Sequence, residues 1–266
     1  MNAFEIQKHL GQHPWADRLL VYEEISSTNT LLKTLGQQGA PCGTVIVADH
    51  QSAGRGRMGR SFLSPRGTGV YLSALIRPQA APSQIMHLTC AAAVAMCDAV
   101  EAATGIRPGI KWTNDLVIGK QKLGGILTEL SLDPQTQQVD YAVIGVGINC
   151  TQQPHDFDIT IQNMATSLHI ATGKAIDRNR LTAEIIRSTH RLNAELLSKK
   201  AQVIKQYELD CVTIGQQIQV VQGSHIRYGN AIGIDDDGGL IVSYTDGETR
   251  TVTSGEVSIR GMYGYV

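Results

Sequence analysis

Long apolar runs are scarce in this sequence. The most hydrophobic helical run, Thr89 to Ala95, meets Asp98 and Glu101 well short of a membrane-spanning length. The first residues, Met1-Asn-Ala-Phe-Glu-Ile-Gln-Lys8, lack the hydrophobic core of a secretory leader. Cys42, Cys90, Cys97, Cys150 and Cys211 form no C-x-x-C pair and have no companion histidine at metal-ligand spacing. An odd number of cysteines without a leader fits reduced, mostly buried thiols in the cytoplasm, and no structural metal is suggested. A charge excess is missing too. The 23 Lys and Arg against 24 Asp and Glu leave a net charge of −1, so nothing global points to nucleic acid or a membrane surface. Internal repeats and low-complexity tracts are absent. What remains is 266 residues, 42% hydrophobic and 18% charged, enough for one sizeable domain and a small one.

Against that plain background one segment stands out, Gly54-Arg-Gly-Arg-Met-Gly-Arg60. Glycine lets a backbone approach a ligand closely, and arginine supplies a planar, permanently charged fork for phosphate or carboxylate oxygens. Gly54, Gly56 and Gly59 match the spacing G-x-G-x-x-G after a predicted strand, but that fingerprint must then open a helix. Here Pro65, Gly67 and Gly69 follow and break one. A Walker loop fails as well, since no Gly-Lys-Ser/Thr follows. An Arg-rich surface loop needs no ligand at all, so the choice depends on the rest of the chain.

Residues 2–11 predict a short helix and 18–25 a strand. Ser26-Ser27-Thr28-Asn29 precede Leu31, Leu32 and Leu35 at helical spacing, so Ser27 or Thr28 is read as an N-cap, leaving the other to face a ligand. Strands are predicted over 44–50, 70–76, 124–132 and 141–149, and a strand pair over 110–118 broken at Thr113-Asn114-Asp115. An alanine-rich segment covers 82–105, and one helix is predicted from Arg180 to Leu209. From residue 212 onward only short alternating strands remain, separated by Gln222-Gly223, Asp235-Asp-Asp-Gly-Gly239 and Asp246-Gly247, which predicts a five-stranded, barrel-like module.

Three further segments combine with the Arg-Gly loop: Lys111-Trp-Thr-Asn-Asp115, Lys122-Leu-Gly-Gly-Ile-Leu127 and Gly145-Val-Gly-Ile-Asn149. Singly, Lys111 is a solvated edge residue, Gly124-Gly125 a bulge and Gly145/Gly147 close strand packing. Together they are four glycine- or cation-marked strand ends in one domain. With Ser27-Thr-Asn29 and Gln51-Ser-Ala-Gly-Arg-Gly-Arg-Met-Gly-Arg60, and in this order, they resemble the biotin–protein ligases, over nearly the whole chain from about residue 20.

That resemblance implies an α+β fold: a catalytic domain over 1–211, with a central mixed β-sheet and helices packed on it, and an SH3-like β-barrel over 212–266. It implies two steps. Biotin's carboxylate attacks the α-phosphorus of ATP to give biotinyl-5'-AMP and pyrophosphate. A lysine amine of the biotin carboxyl carrier protein of acetyl-CoA carboxylase then takes the acyl group and expels AMP. Lys111 and Arg57 correspond to the catalytic cations, Lys111 bridging the biotin carboxylate and α-phosphate and Arg57 gripping phosphates. Ser27, Thr28, Asn29, Gln51, Gly54, Arg55, Gly56, Lys111, Gly125, Gly145 and Gly147 correspond to the biotin site, the last three glycines leaving room for the bicycle and chain. Arg57, Phe62, Asn149 and Arg260 are the ATP-site candidates, with Asn149 reading the adenine edge. Mg²⁺ is expected with ATP, without assignable protein ligands. A cytoplasmic enzyme that binds neither nucleic acid nor membrane is implied, with a homodimer through an exposed strand edge allowed for.

Departures from the family pattern are Phe62 for a Trp, Thr113 for a Pro, and Met58 where some members carry Arg. The roughly 20 residues before the first strand are too few for the helix-turn-helix that makes some members repressors. Lipoate–protein ligases and octanoyltransferases share the fold, but the Arg-Gly loop together with a C-terminal barrel favours biotin. A non-enzymatic biotin sensor would need a DNA-binding element or a lost Lys111 or Arg57.

Overall fold

Capping and alternation place the elements. The computed structural model describes residues 1–253 and the backbone of 257–261. Asn2 accepts the Phe4 N–H and opens α1 (Ala3–Leu10), which β1 (Leu19–Ile25) follows. Ser27 caps α2 (Thr28–Gln37) through the Thr30 N–H. β2 (Val45–Gln51), the Arg-Gly loop and β3 (Gly69–Ile76) come next, then α3 (Leu88–Thr104), closed by left-handed Gly105. β4 (Gly109–Lys111), β5 (Asp115–Ile118), β6 (Gln121–Leu132) and β7 (Val139–Asn149) follow. The chain then forms α4 (Leu168–Thr172), α5 (Arg178–Glu195) and α6 (Lys200–Asp210). β8 (Gln217–Gln222), β9 (His225–Ile234), β10 (Leu240–Tyr244), β11 (Thr249–Val252) and β12 (Val257–Gly261) complete it.

The first seven strands form one mixed sheet in the order β1-β2-β3-β7-β6-β5-β4, parallel only between β1 and β2. The last five form one antiparallel sheet in the order β11-β10-β9-β8-β12. Both were expected, as was the α+β class. The single helix expected from Arg180 to Leu209 is instead two, α5 and α6, separated by a turn over 196–199. The Leu196 carbonyl lies 2.9 Å from Nε2 of buried His87 and so turns toward α3 instead of continuing the helical ladder. The sequence between 180 and 209 carries no breaker that would reveal this.

Alternate residues of the large sheet face opposite layers. Val45, Val47, Leu72, Ala74 and Ile76 join the main core with residues of α1, α3 and α5. On the other face α2 is the one helix that packs among the described residues, burying Leu32 against Ile46, Leu75, Tyr141 and Val143. This second face is therefore only half covered. The small sheet docks beside it: Gly238, in the turn between β9 and β10, accepts the Trp112 indole N–H at 2.9 Å, and Thr213 Oγ1 accepts the Trp112 backbone N–H.

Candidate active site

The half-covered face carries a cavity of about 600 Å³. Its floor follows from strand register. Tyr71 pairs with Gly147, Gly147 with Gly125, and Gly125 with Asp115, so one row crosses four strands with glycine at its centre. The adjacent row reads Ser73, Gly145, Leu127. The N-terminus of α2 supplies Ser27, Thr28 and Asn29 at one end of the cavity. The Arg-Gly loop forms the roof with Arg55, Gly56, Arg57, Arg60 and Phe62. Lys111, Asn114, Asp115 and Lys122 stand at the other end, and Gln219 of the small sheet reaches the rim.

Hydrogen bonds fix the first end. The Thr28 N–H and hydroxyl both approach Gln51 Oε1, at 2.8 and 3.1 Å. Gln51 donates to Ser64 Oγ at 2.8 Å, which ties the two legs of the loop together. The loop closes on itself with Gly56 N–H to Arg60 O at 2.7 Å and Phe62 N–H to Gly54 O at 2.9 Å. Met58 at its tip takes the left-handed conformation, φ 55°.

The second end is cationic. Arg57 donates to Asn114 Oδ1 at 3.0 Å, and Asn114 in turn donates to the Ile126 carbonyl at 2.8 Å. Burial pulls the Arg57 guanidinium below its ordinary pKa, an effect the Asp115 charge opposes; arginine stays protonated regardless. Lys122 Nζ sits 2.6 Å from Asp115 Oδ1. Lys111, with only 8% of its surface exposed, lies on β4 beside it. A cavity with polar groups at one end, apolar Phe62 and Leu127 along it, and three cations at the other suits an elongated acid that meets a phosphate ester.

Most residues expected from the sequence converge here: Ser27, Thr28, Asn29, Gln51, Arg55, Gly56, Arg57, Phe62, Lys111, Gly125, Gly145 and Gly147 all line the cavity. Gly54 stands behind the roof, where a Cβ would run into the Phe62 carbonyl. Asn149 is not brought to the wall; its amide donates to the Thr166 carbonyl at 3.0 Å and accepts from Gln152 at 3.1 Å. The side chain of Arg260 lies outside the described residues. Sequence reasoning passed over Lys122, Asp115 and Asn114 as functional residues, although all three stood inside the quoted segments. Gln219 had no local signal, since only the docking of the two sheets places it.

Two of the floor glycines make room for protein. A Cβ on Gly145 would overlap the Asn29 amide, and one on Gly147 would overlap the Phe62 ring. Only at Gly125 does the space lead into the cavity, with Asp115 Oδ1 3.3 Å from a built Cβ and Lys122 Nζ 3.6 Å.

Residues 21–149 match the biotin/lipoate A/B protein ligase family. Residues 213–260 match the biotin protein ligase C-terminal domain. The bifunctional ligase/repressor BirA of Bacillus subtilis is 37% identical over 239 residues, covering 90% of this chain and 71% of that protein. The biotin–[acetyl-CoA-carboxylase] ligase of Mycobacterium tuberculosis is 33% identical over 246 residues, covering 90% and 88%. The structure of Aquifex aeolicus biotin protein ligase with biotin and ATP superposes with a TM-score of 0.77 at 28% identity, over 91% of this chain and 98% of that one. The chain belongs to the biotin protein ligase family and is a ligase.

Proposed function

We propose that this enzyme condenses biotin with ATP to biotinyl-5'-AMP and pyrophosphate. It then transfers the biotinyl group to a lysine of the biotin carboxyl carrier protein of acetyl-CoA carboxylase, expelling AMP. One observation carries the reading: a single cavity joins a polar cage at the mouth of α2 to a cluster of Arg57, Lys111 and Lys122. The names of the Mycobacterium tuberculosis relative and of the Aquifex complex support the substrates.

The chemistry requires no protein nucleophile. The acid already holds the attacking oxygen, so the site has to bring two anions together, screen their repulsion and keep them in line. Thr28 and Gln51 hold the head group, and Phe62 with Leu127 lines the passage for its chain. The carboxylate then arrives between Lys111 and Lys122. Lys111 bridges carboxylate and α-phosphate, and Asp115 aims the Lys122 amine over Gly125 on the open floor beside it. Arg57, held by Asn114, closes over the phosphates from the roof. Asp115 is the carboxylate lining the cavity, and with ATP's own phosphates it forms the kind of oxygen donor set Mg²⁺ takes. Bound there, Mg²⁺ would neutralise charge on the departing pyrophosphate. Asn149 remains the candidate for the adenine edge, provided the base draws its amide away from Thr166 and Gln152.

Biotin-dependent exchange of labelled pyrophosphate into ATP, with lipoate as the control acid, tests the proposal. Exchange with biotin alone supports it. Exchange with lipoate moves the chain to the sister enzymes, and exchange with neither removes the adenylation step.

A further inference from the structure

Glu129 lies on β6 behind the cavity, and its carboxylate collects three donor side chains from two elements. Asn29 Nδ2 of α2 donates at 3.0 Å, Lys33 Nζ of α2 at 2.9 Å, and Arg55 Nη1 of the loop at 3.1 and 3.2 Å to the two oxygens. Burial would raise the carboxyl's pKa, but the Lys33 and Asn29 hydrogen bonds and the Lys33 and Arg55 charges outweigh it and hold it below the usual range.

The first of these contacts orients a cavity residue. Asn29 is fixed on every side: Nδ2 reaches the Leu127 carbonyl at 3.2 Å as well as Glu129, Oδ1 takes the Ser73 hydroxyl at 2.5 Å, and Gly145 lies against it. Ser73 Oγ is also 2.7 Å from Thr28 Oγ1, which faces Gln51. A chain of hydrogen bonds thus runs from Glu129 through Asn29, Ser73, Thr28 and Gln51 to Ser64 in the far leg of the loop. The Arg55 contact grips the near leg directly. Glu129 therefore touches both anchors of the roof without lining the cavity.

We propose that Glu129 is a positioning residue: through Asn29 it sets the biotin cage, and through Arg55 it latches the Arg-Gly loop shut over the acyl-adenylate. The inference rests on the ligase reading above. A half-exposed ion pair adds little to global stability, so the latch acts on the loop's position and not on the fold.

The test uses the full chain and begins with wild-type pyrophosphate exchange; its absence would overturn the ligase reading and the latch together. With exchange present, Glu129→Gln is expected to raise the KM for biotin about tenfold, the scale of one charge-assisted hydrogen bond. It should also speed release of labelled biotinyl-adenylate from the preformed complex about tenfold. The kcat at saturating biotin should stay near wild type. Lys33→Ala, which removes the donor farthest from the cavity, should change KM and release less than twofold. Arg55→Met combined with Glu129→Gln should release adenylate no faster than either alone, because both remove the same contact. A fall in kcat with unchanged KM, an additive double variant, or an equal effect of Lys33→Ala would each overturn the latch.

Discussion

Gly145→Ala separates space made for the ligand from space made for the protein. The residue sits mid-strand in β7, buried, with a backbone that alanine adopts freely, so only the new methyl group matters. That methyl would overlap Oδ1 and Cγ of Asn29. Asn29 has no room to yield, being held by Ser73, Leu127 and Glu129. Either the strand shifts, as in an overpacked core at about 1–3 kcal/mol, or Asn29 swings out and the charge-assisted bond to Glu129 is lost at about 1.5–3 kcal/mol. The molecule takes the cheaper route, so a loss of about 1–3 kcal/mol is expected. For a chain of this size that lowers the melting temperature by roughly 2–12 °C. Gly125→Ala is the control, since its methyl meets Asp115 Oδ1 at 3.3 Å and otherwise enters the cavity. It should melt within about 1 kcal/mol of wild type while raising the KM for biotin or ATP.

Scanning calorimetry of both variants, with Asn29→Ala and the Gly145→Ala/Asn29→Ala pair, completes the cycle. Removing the Asn29 amide removes the clash, so the pair should be less damaged than the two single losses added together. A Gly145→Ala protein that melts like wild type but binds biotin poorly would refute the reasoning. In that case the space above Gly145 would belong to the ligand, as the sequence reading had it.

Arg57→Ala should lose about 2.7–4 kcal/mol of transition-state stabilisation in pyrophosphate exchange, the scale of one electrostatic donor; near-wild-type turnover would remove it from the mechanism. Lys111→Ala is expected to lose as much, and near-wild-type kcat would take the bridging role from Lys111. Biotin with ATP should protect residues 51–66 from limited proteolysis, because a glycine-rich clamp gains its contacts from the anion it closes on; equal cleavage with and without ligand would contradict a closing roof. His13 should make stability pH-dependent: burial, His190 and Arg187 all lower its pKa, and its Nδ1 already accepts the Trp15 N–H. The unfolded chain then takes up the proton first, so stability is full above about pH 6.5 and falls as pH drops from there to the folded-state value; His13→Gln should flatten that slope, and an unchanged slope would contradict it.

Much of this was legible from the sequence because the signals are local. β2, β3 and β7 are valine- and isoleucine-rich runs, and Ser27 announces α2 by its side chain. The Arg-Gly loop, Lys111-Trp-Thr-Asn-Asp115 and Lys122-Leu-Gly-Gly125 each meet the cavity as units. What was illegible depends on distant partners. The break after Glu195 is made by His87, more than a hundred residues away along the chain. Glu129 reads as one polar residue in an alternating strand until α2 and the loop bring Asn29, Lys33 and Arg55 to it. The three floor glycines look equivalent in sequence, and only the packing of Asn29 and Phe62 distinguishes them.

The position of the site follows from a mismatch of lengths. α2 has 10 residues and rises about 15 Å. β7, beneath it, has 11 residues and extends about 37 Å. One short helix cannot cover that strand, and β7 is written accordingly. Its residues on this face are Tyr141, Val143, Gly145, Gly147 and Asn149. The first two are packed under Leu32, with Ile46 and Leu75 beside them. The glycines begin where α2 begins, at Ser27–Thr28. Beyond that point the sheet offers bare backbone, the helix directs the positive end of its dipole and its capping side chains into the gap, and the Arg-Gly loop supplies the missing cover. The cavity is therefore the part of the sheet that α2 is too short to reach. A further helical turn at its N-terminus would fill that end of the cavity.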